Sequence, residues 1–306
     1  MQYVDFHQFC FTVKKNLSPK ELSAITEKYF GYPIESFQII NTYRYAYRSH
    51  YSLGNLVNIY VNGAGDNNGT TYFEIHGCGC DTLNINYKSV IADCFENDYK
   101  IVCVHLYMDD TGNILPMDRL FSEFKKNHTN RIISIFKSVP KLIDTHSRTL
   151  EFGTGKSNTQ VTIYEKGLFE KTDFNWNRIE LKLTNYQDIK IILQDYINGI
   201  ELGALTAGIL KRVLDFKVDG HQLKSRRATE KFWTDFLGDV EKRSFGRVPK
   251  PKPDATKQFQ NLRKQLKKNM IGMDIENFKT LVADINSSIS DNYHIEPLQL
   301  VTKSSL

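Results

Sequence analysis

Between residues 148 and 184 the chain carries three strand-like segments, near 148–153, 159–165 and 177–184, separated by polar turns that contain glycine. Tyr164 ends the middle segment, between Ile163 and the charged pair Glu165-Lys166, and Arg178-Ile179-Glu180 begins the third.

The rest of the chain extends the pattern. Residues 3–13 read as a strand, and so do 42–51, 55–62 and 70–77, with Asn62 to Gly69 a polar hairpin turn. Ser18-Pro19-Lys20-Glu21 is a helix start, with a serine N-cap, proline at N1 and glutamate behind, and Gly31 stops that helix. Helices are expected over 84–97 and 116–126. Lys100 to Met108 is an apolar β-branched run, and Asp109 to Asn113 reads as the turn after it. The stretch 131–139 is ambiguous. From Asn185 the character changes: 186–216, 222–245, 255–270 and 274–290 read as helices, with Pro249 to Pro253 an extended linker. The expected fold class is α+β, a mostly antiparallel sheet with flanking helices over 1–185, followed by a helical part over 186–306.

Charge divides along the same line. Residues 221–270 hold 14 Lys and Arg against 5 Asp and Glu, although the whole chain is only +5. A basic segment on a slightly acidic body points to a polyanion partner, or else to a solvated helical face. Aromatics reach 12%, with 16 Tyr and 19 Phe, which fills strands and cores and also suits stacking on single-stranded nucleic acid. The N-terminus has no basic, then apolar, leader pattern. No apolar run approaches the roughly 18 residues of a membrane span, so a cytoplasmic protein without a membrane partner is expected. Cys10, Cys78, Cys80, Cys94 and Cys103 form no disulfide framework, and Cys78-Gly79-Cys80 lacks the second half of a zinc set.

Strand parity sorts the polar residues. Glu74 and His76 share a face, as do His105, Tyr107 and Asp109, and as do Arg178 and Glu180. Two readings stay open: the wet face of an amphipathic sheet, or oxygen and imidazole ligands for Mg²⁺ or Mn²⁺. Tyr164 is likewise either packing or a nucleophile, with Lys166 two residues on to neutralise a phosphate.

The ordered set Phe152-Gly153, Ser157, Ile163-Tyr164-Glu165-Lys166 and Trp176-(x)-Arg178-Ile179-Glu180-Leu181 resembles the signature of the Rep_trans replication initiation factors. These start rolling-circle replication of small plasmids, and relaxases of integrative conjugative elements share the pattern. Phe73-Glu74-Ile75 with Gly77 to Cys80, Val102 to Asp110, and Lys231-Phe232-Trp233 with Phe236-Leu237 extend the resemblance over most of residues 3–270.

The resemblance implies an HUH-endonuclease-like fold and a tyrosine endonuclease that nicks and rejoins one strand of origin DNA. Tyr164 would form a 5′-phosphotyrosine link, with Lys166 and Glu180 beside it. Glu74, His105 and Asp109 would hold the divalent ion. DNA contacts would come from Lys156, Ser157, Arg178, Lys224, Arg226, Arg227, Arg263, Lys264, Lys267 and Lys268. The partners implied are origin DNA, single-stranded or extruded from a hairpin, a second copy of the chain, and a host superfamily-1 helicase. The chain departs from the family at Cys103 and His105, where arginine and aspartate are usual, and at Thr162, where arginine is usual. A non-catalytic DNA binder of the same fold and a metal-dependent nuclease using water are the alternatives.

Overall fold

A computed structural model of the chain describes residues 3–126, 132–134, 136, 141–144, 147–243 and isolated positions between 276 and 283. The chain divides into two compact units, Met1–Gly246 and Arg247–Leu306, and the first holds all the elements below.

Ten strands form one sheet: β1 (Val4–Val13), β2 (Gln38–Ile40), β3 (Tyr47–Leu53), β4 (Val57–Gly63), β5 (Thr71–Ile75), β6 (Lys100–Asp110), β8 (Lys141–Asp144), β9 (Arg148–Phe152), β10 (Thr159–Tyr164) and β11 (Asn177–Leu183). Their order is β2-β3-β4-β5-β1-β6-β11-β10-β9-β8, and every pairing is antiparallel. The middle pairs strands distant in sequence: β6 lies between β1 and β11. A separate two-stranded sheet joins β7 (Ile132–Ser134) to β12 (Leu214–Phe216).

Alternation gives the large sheet one apolar face. Phe9 and Phe11 of β1, Phe73 and Ile75 of β5, Leu106 and Met108 of β6, Ile179 and Leu181 of β11 and Val161 and Ile163 of β10 are all buried in a single core. Onto that core pack α1 (Pro19–Phe30), α3 (Tyr87–Glu96), α4 (Met117–Lys125), α6 (Tyr186–Ile197) and α7 (Leu202–Val213). Helix α1 starts as expected: the Ser18 hydroxyl accepts from the Glu21 amide, and the Glu21 carboxylate accepts from the Ser18 amide at 2.8 Å. A short α2 (Gly77–Thr82) follows β5, and a four-residue α5 (Lys166–Phe169) follows β10. Among the described residues no helix is long and apolar enough to cross a membrane.

Three expectations are corrected. Strand β6 does not stop at Met108; it runs through Asp109 and Asp110, which face Arg178 and Asn177 on β11. The turn begins two residues later, at Thr111, and the Asp110 carboxylate accepts the amides of Ile114 and Leu115 at 2.9 and 2.8 Å and closes the loop itself. The helix read over 186–216 is two helices and a strand. It breaks at Gly199, whose φ of 101° lies outside the helical region, and β12 takes its last three residues. Among the described residues of 222–245 only α8 (Lys231–Leu237) is α-helical; it buries Trp233, Phe236 and Leu237, and a 3₁₀ turn spans Lys224–Arg226. The helices expected over 255–270 and 274–290 lie outside the described residues, apart from isolated helical positions in the second.

Candidate active site

Register across the sheet brings the polar residues together on the face away from the helices that cover the core. Tyr164 on β10 is opposite Arg178 on β11, which is opposite Asp109 on β6. One step along, Thr162, Glu180 and Tyr107 form the next row; Gln160, Lys182 and His105 form a third. On the other side of β6, His105 faces Gln8 and Cys103 faces Cys10, which in turn faces Glu74 on β5.

The Tyr164 hydroxyl donates to Glu180 Oε1 at 2.7 Å. The same carboxylate oxygen lies 3.5 Å from His7 Nε2. His7 is a residue that parity missed. It occupies the bulge in β1 where the register slips between Phe6 and Gln8. The slip leaves Phe6 and Phe9 both on the core face with two residues between them, and turns the His7 ring toward Glu180. The spacing Phe6-x-x-Phe9 was the available sequence signal. The ring also rests on α2: a Cβ at Gly77 would come within 2.6 Å of His7 Cε1, so only glycine leaves room for it.

Burial is the main reason that the Tyr164 phenol titrates above its ordinary value. The Glu180 charge and hydrogen bond push it further the same way, and Arg178 pulls against them. The phenol is therefore neutral at neutral pH, with its proton already directed at a carboxylate.

Burial also lowers the pKa of His7. The Glu180 carboxylate resists this, while Arg178, His105 and Lys166 add to it. An imidazole that stays neutral when folded but takes up a proton near pH 6.5 when unfolded stabilises the protein above that pH, and the contribution fades as pH falls. Stability measured by urea denaturation should thus drop between pH 7 and pH 5, and His7→Gln should flatten the drop. An unchanged slope in the variant would place the effect on another group.

Asp109 and Arg178 hold each other. The guanidinium donates to both carboxylate oxygens, at 2.6 and 2.9 Å, with its carbon 3.7 Å from the centre of the Tyr107 ring. Glu74 is buried and accepts from the Tyr60 hydroxyl at 2.7 Å and the Gln8 amide at 3.1 Å. The expected metal ligands Glu74, His105 and Asp109 share the face but do not converge. Four residues of one strand, roughly 13 Å, separate His105 from Asp109, and among the described residues no group of three His, Cys, Asp or Glu is placed to hold an ion. His105 Nε2 is buried and has no hydrogen-bond partner among the described residues.

Lys166 is not a continuation of the strand face. The chain leaves β10 at Glu165, which pairs with Arg148, and Lys166 opens α5, where it pairs with Glu170 and lies 5.7 Å from the Trp176 ring. Lys156 is exposed and Ser157 half-buried, both in the β9–β10 turn at the far end of β10 from Tyr164. Ser157 Oγ accepts the Thr154 amide at 2.9 Å and so shapes that turn. Arg226 is exposed at the end of the 3₁₀ turn, and Arg227 Nε donates to the His221 carbonyl at 2.7 Å. Arg263, Lys264, Lys267 and Lys268 lie outside the described residues. A cleft of about 730 Å³ opens next to the Arg178 pair, lined by Tyr3, Asp5, Asp81, Tyr107, Asp109 and Trp176 among others.

A family model described as "Replication initiation factor" matches residues 108–284, more than half of the chain. The chain belongs to the Rep_trans family of replication initiation factors. The matched span takes in Tyr164, Arg178 and Glu180, and leaves His7 and Glu74 outside it. This Rep_trans chain is also similar in fold to a solved structure, "Rolling Circle Replication Initiator Protein from Geobacillus stearothermophilus". The TM-score is 0.63 at 22% identity, over 79% of this chain and 98% of that one. No curated protein matches the chain in sequence.

Proposed function

We propose that the protein is a rolling-circle replication initiator that nicks and rejoins one strand of origin DNA, with Tyr164 as nucleophile. The observation that carries this reading is the phenol held on Glu180 at 2.7 Å, with His7 behind it, at a strand end inside the family match. Tyr164 Oη attacks the scissile phosphorus, and its proton passes to Glu180. The bond from phosphorus to O3′ breaks, O3′ takes a proton from solvent and leaves as a free 3′-hydroxyl that can prime synthesis, and the phosphate stays on the tyrosine as a 5′-phosphotyrosine ester. Transesterification conserves the bond, so the 3′-hydroxyl can attack the ester and rejoin the strand.

The resemblance also implies Mg²⁺ or Mn²⁺. Glu74, His105 and Asp109 do not fit such an ion as they are placed, so no step here runs through one. Residues 1–185 are the proposed nicking part, and 186–306 the recognition part, with the basic segment 221–270 on DNA phosphates. A second copy of the chain and a host superfamily-1 helicase are the further partners proposed. Neutralising Arg263, Lys264, Lys267 and Lys268 together should lower affinity for origin duplex. It should also flatten the dependence of log K on log salt by up to about one unit per lost phosphate contact. Unchanged binding would remove this cluster from the interface.

One denaturing gel tests the chemistry. Wild-type protein with origin strand in Mg²⁺ or Mn²⁺ should give cut DNA and an equal amount of covalent adduct, and neither in EDTA. Cut DNA without adduct would mean that water is the nucleophile. DNA that is bound in a native gel but never cut would mean a non-catalytic binder.

A further inference from the structure

The aromatic excess has one concentrated use on the open face, at the edge away from Tyr164. Tyr60 on β4 and Tyr72 on β5 face each other on that surface, their rings 5.5 Å apart. Over them leans Tyr45, edge-on to both at 5.4 and 5.8 Å, with its hydroxyl 3.4 Å from Glu74.

Tyr45 is there because the backbone is forced. Arg44 and Tyr47 exchange both backbone hydrogen bonds, at 3.0 and 2.9 Å, around a two-residue turn. Its central residues Tyr45 and Ala46 have φ of 51° and 61°. That is the left-handed turn normally made by Asn-Gly, and a tyrosine followed by an alanine adopts it at a cost. The turn is gripped from outside: Asn67 Nδ2 donates to the Tyr45 carbonyl at 2.8 Å, and the Ala64 amide donates to the Ala46 carbonyl at 2.7 Å. The strain delivers a tyrosine that is half exposed, at 49%, with the Arg44 guanidinium 4.7 Å from its ring, and Tyr43 and Arg48 exposed alongside.

A presented aromatic ring with a guanidinium beside it is the chemistry that binds a base by stacking and its phosphates by charge. We propose that the Arg44–Tyr47 turn is a stacking subsite for a base of single-stranded DNA lying across the sheet toward Tyr164. From β5 to β10 is four strand spacings, roughly 19 Å, so a strand with its scissile phosphate at Tyr164 passes the turn a few nucleotides away. The inference rests on the nicking proposal for its direction, though not for its chemistry.

Fluorescence anisotropy of the full chain with labelled oligothymidylate, and with a labelled random duplex, tests it. Tyr45→Ala and Tyr45→Asn should weaken single-strand binding about five- to a hundredfold and leave duplex binding unchanged, while Tyr45→Phe should bind as wild type. Tyr45→Asn matters most, because asparagine suits the left-handed turn and keeps the fold, as its melting curve will show. Wild-type affinity in both ring-less variants, or an equal loss on single strand and duplex, overturns the proposal. The covalent-adduct gel on the same wild-type sample separates the two readings. Adduct with no effect of Tyr45 sinks only the subsite, and a Tyr45 effect without adduct sinks only the nicking.

Discussion

Tyr164→Phe is expected to abolish the covalent protein–DNA adduct, a loss of at least about a thousandfold in rate, with origin binding intact. The substitution removes one oxygen. The ring keeps its place on β10, edge-on to Phe169, and the backbone pairing with Arg178 is untouched. What disappears is the hydroxyl that donates to Glu180. Glu180 remains half-buried beside His7, so a small change in stability is expected from losing one hydrogen bond to a charged group. Glu180→Gln provides the graded comparison. The amide cannot take up the phenolic proton, and general-base losses run to roughly 10²–10⁴-fold. Adduct formation should therefore survive at a reduced rate in Glu180→Gln and vanish in Tyr164→Phe. Adduct persisting in the Phe variant would move the nucleophile to another residue, and the neighbouring Tyr107 is the first to test.

Which residues of one strand share the site's face was legible in the sequence, and the rows across strands were not. A period of two states which residues share a face, so His105, Tyr107 and Asp109 were grouped correctly, as were Arg178 and Glu180. Parity within a strand is silent on which strand lies alongside and at what register. That Asp109 stands opposite Arg178, and therefore is bound by it, follows only from β6 pairing with β11 across about seventy residues of chain. The same long-range pairing keeps Asp109 and Asp110 in the strand, where local composition reads a turn. His7 was hidden for the opposite reason. A bulge breaks alternation locally, and a rule built on alternation discards the residue that the bulge re-aims. Beyond Asn185 the helical pattern was real, but its interruptions are set by tertiary contacts: Leu214 to Phe216 pair with β7, and Trp233 Nε1 donates to the Leu214 carbonyl at 3.1 Å.

The pair behind the nucleophile should be the costliest to break. Asp109 and Arg178 are 6% and 4% exposed, and two hydrogen bonds join them. Asp109→Ala leaves a guanidinium buried over Tyr107 with its counter-charge gone. Removing one member of such a pair costs about 3–5 kcal/mol. For a unit of this size that corresponds to a fall in melting temperature of roughly 6–20 °C. Replacing both residues together, Asp109→Leu with Arg178→Met, removes the unpaired charge and should recover much of the loss, since an apolar pair of similar volume is often as stable as a buried ion pair. The comparison also decides what Asp109 is for. If it holds the Arg178–Tyr107 stack in place beneath Tyr164, the single variant melts early with or without Mg²⁺, and the double variant does not. If it serves instead as a ligand, Asp109→Ala should melt like wild type in EDTA and differ from it only when Mg²⁺ or Mn²⁺ is added. Thermal melts of the two variants and wild type in both conditions distinguish a positioning residue from a metal ligand without any appeal to activity.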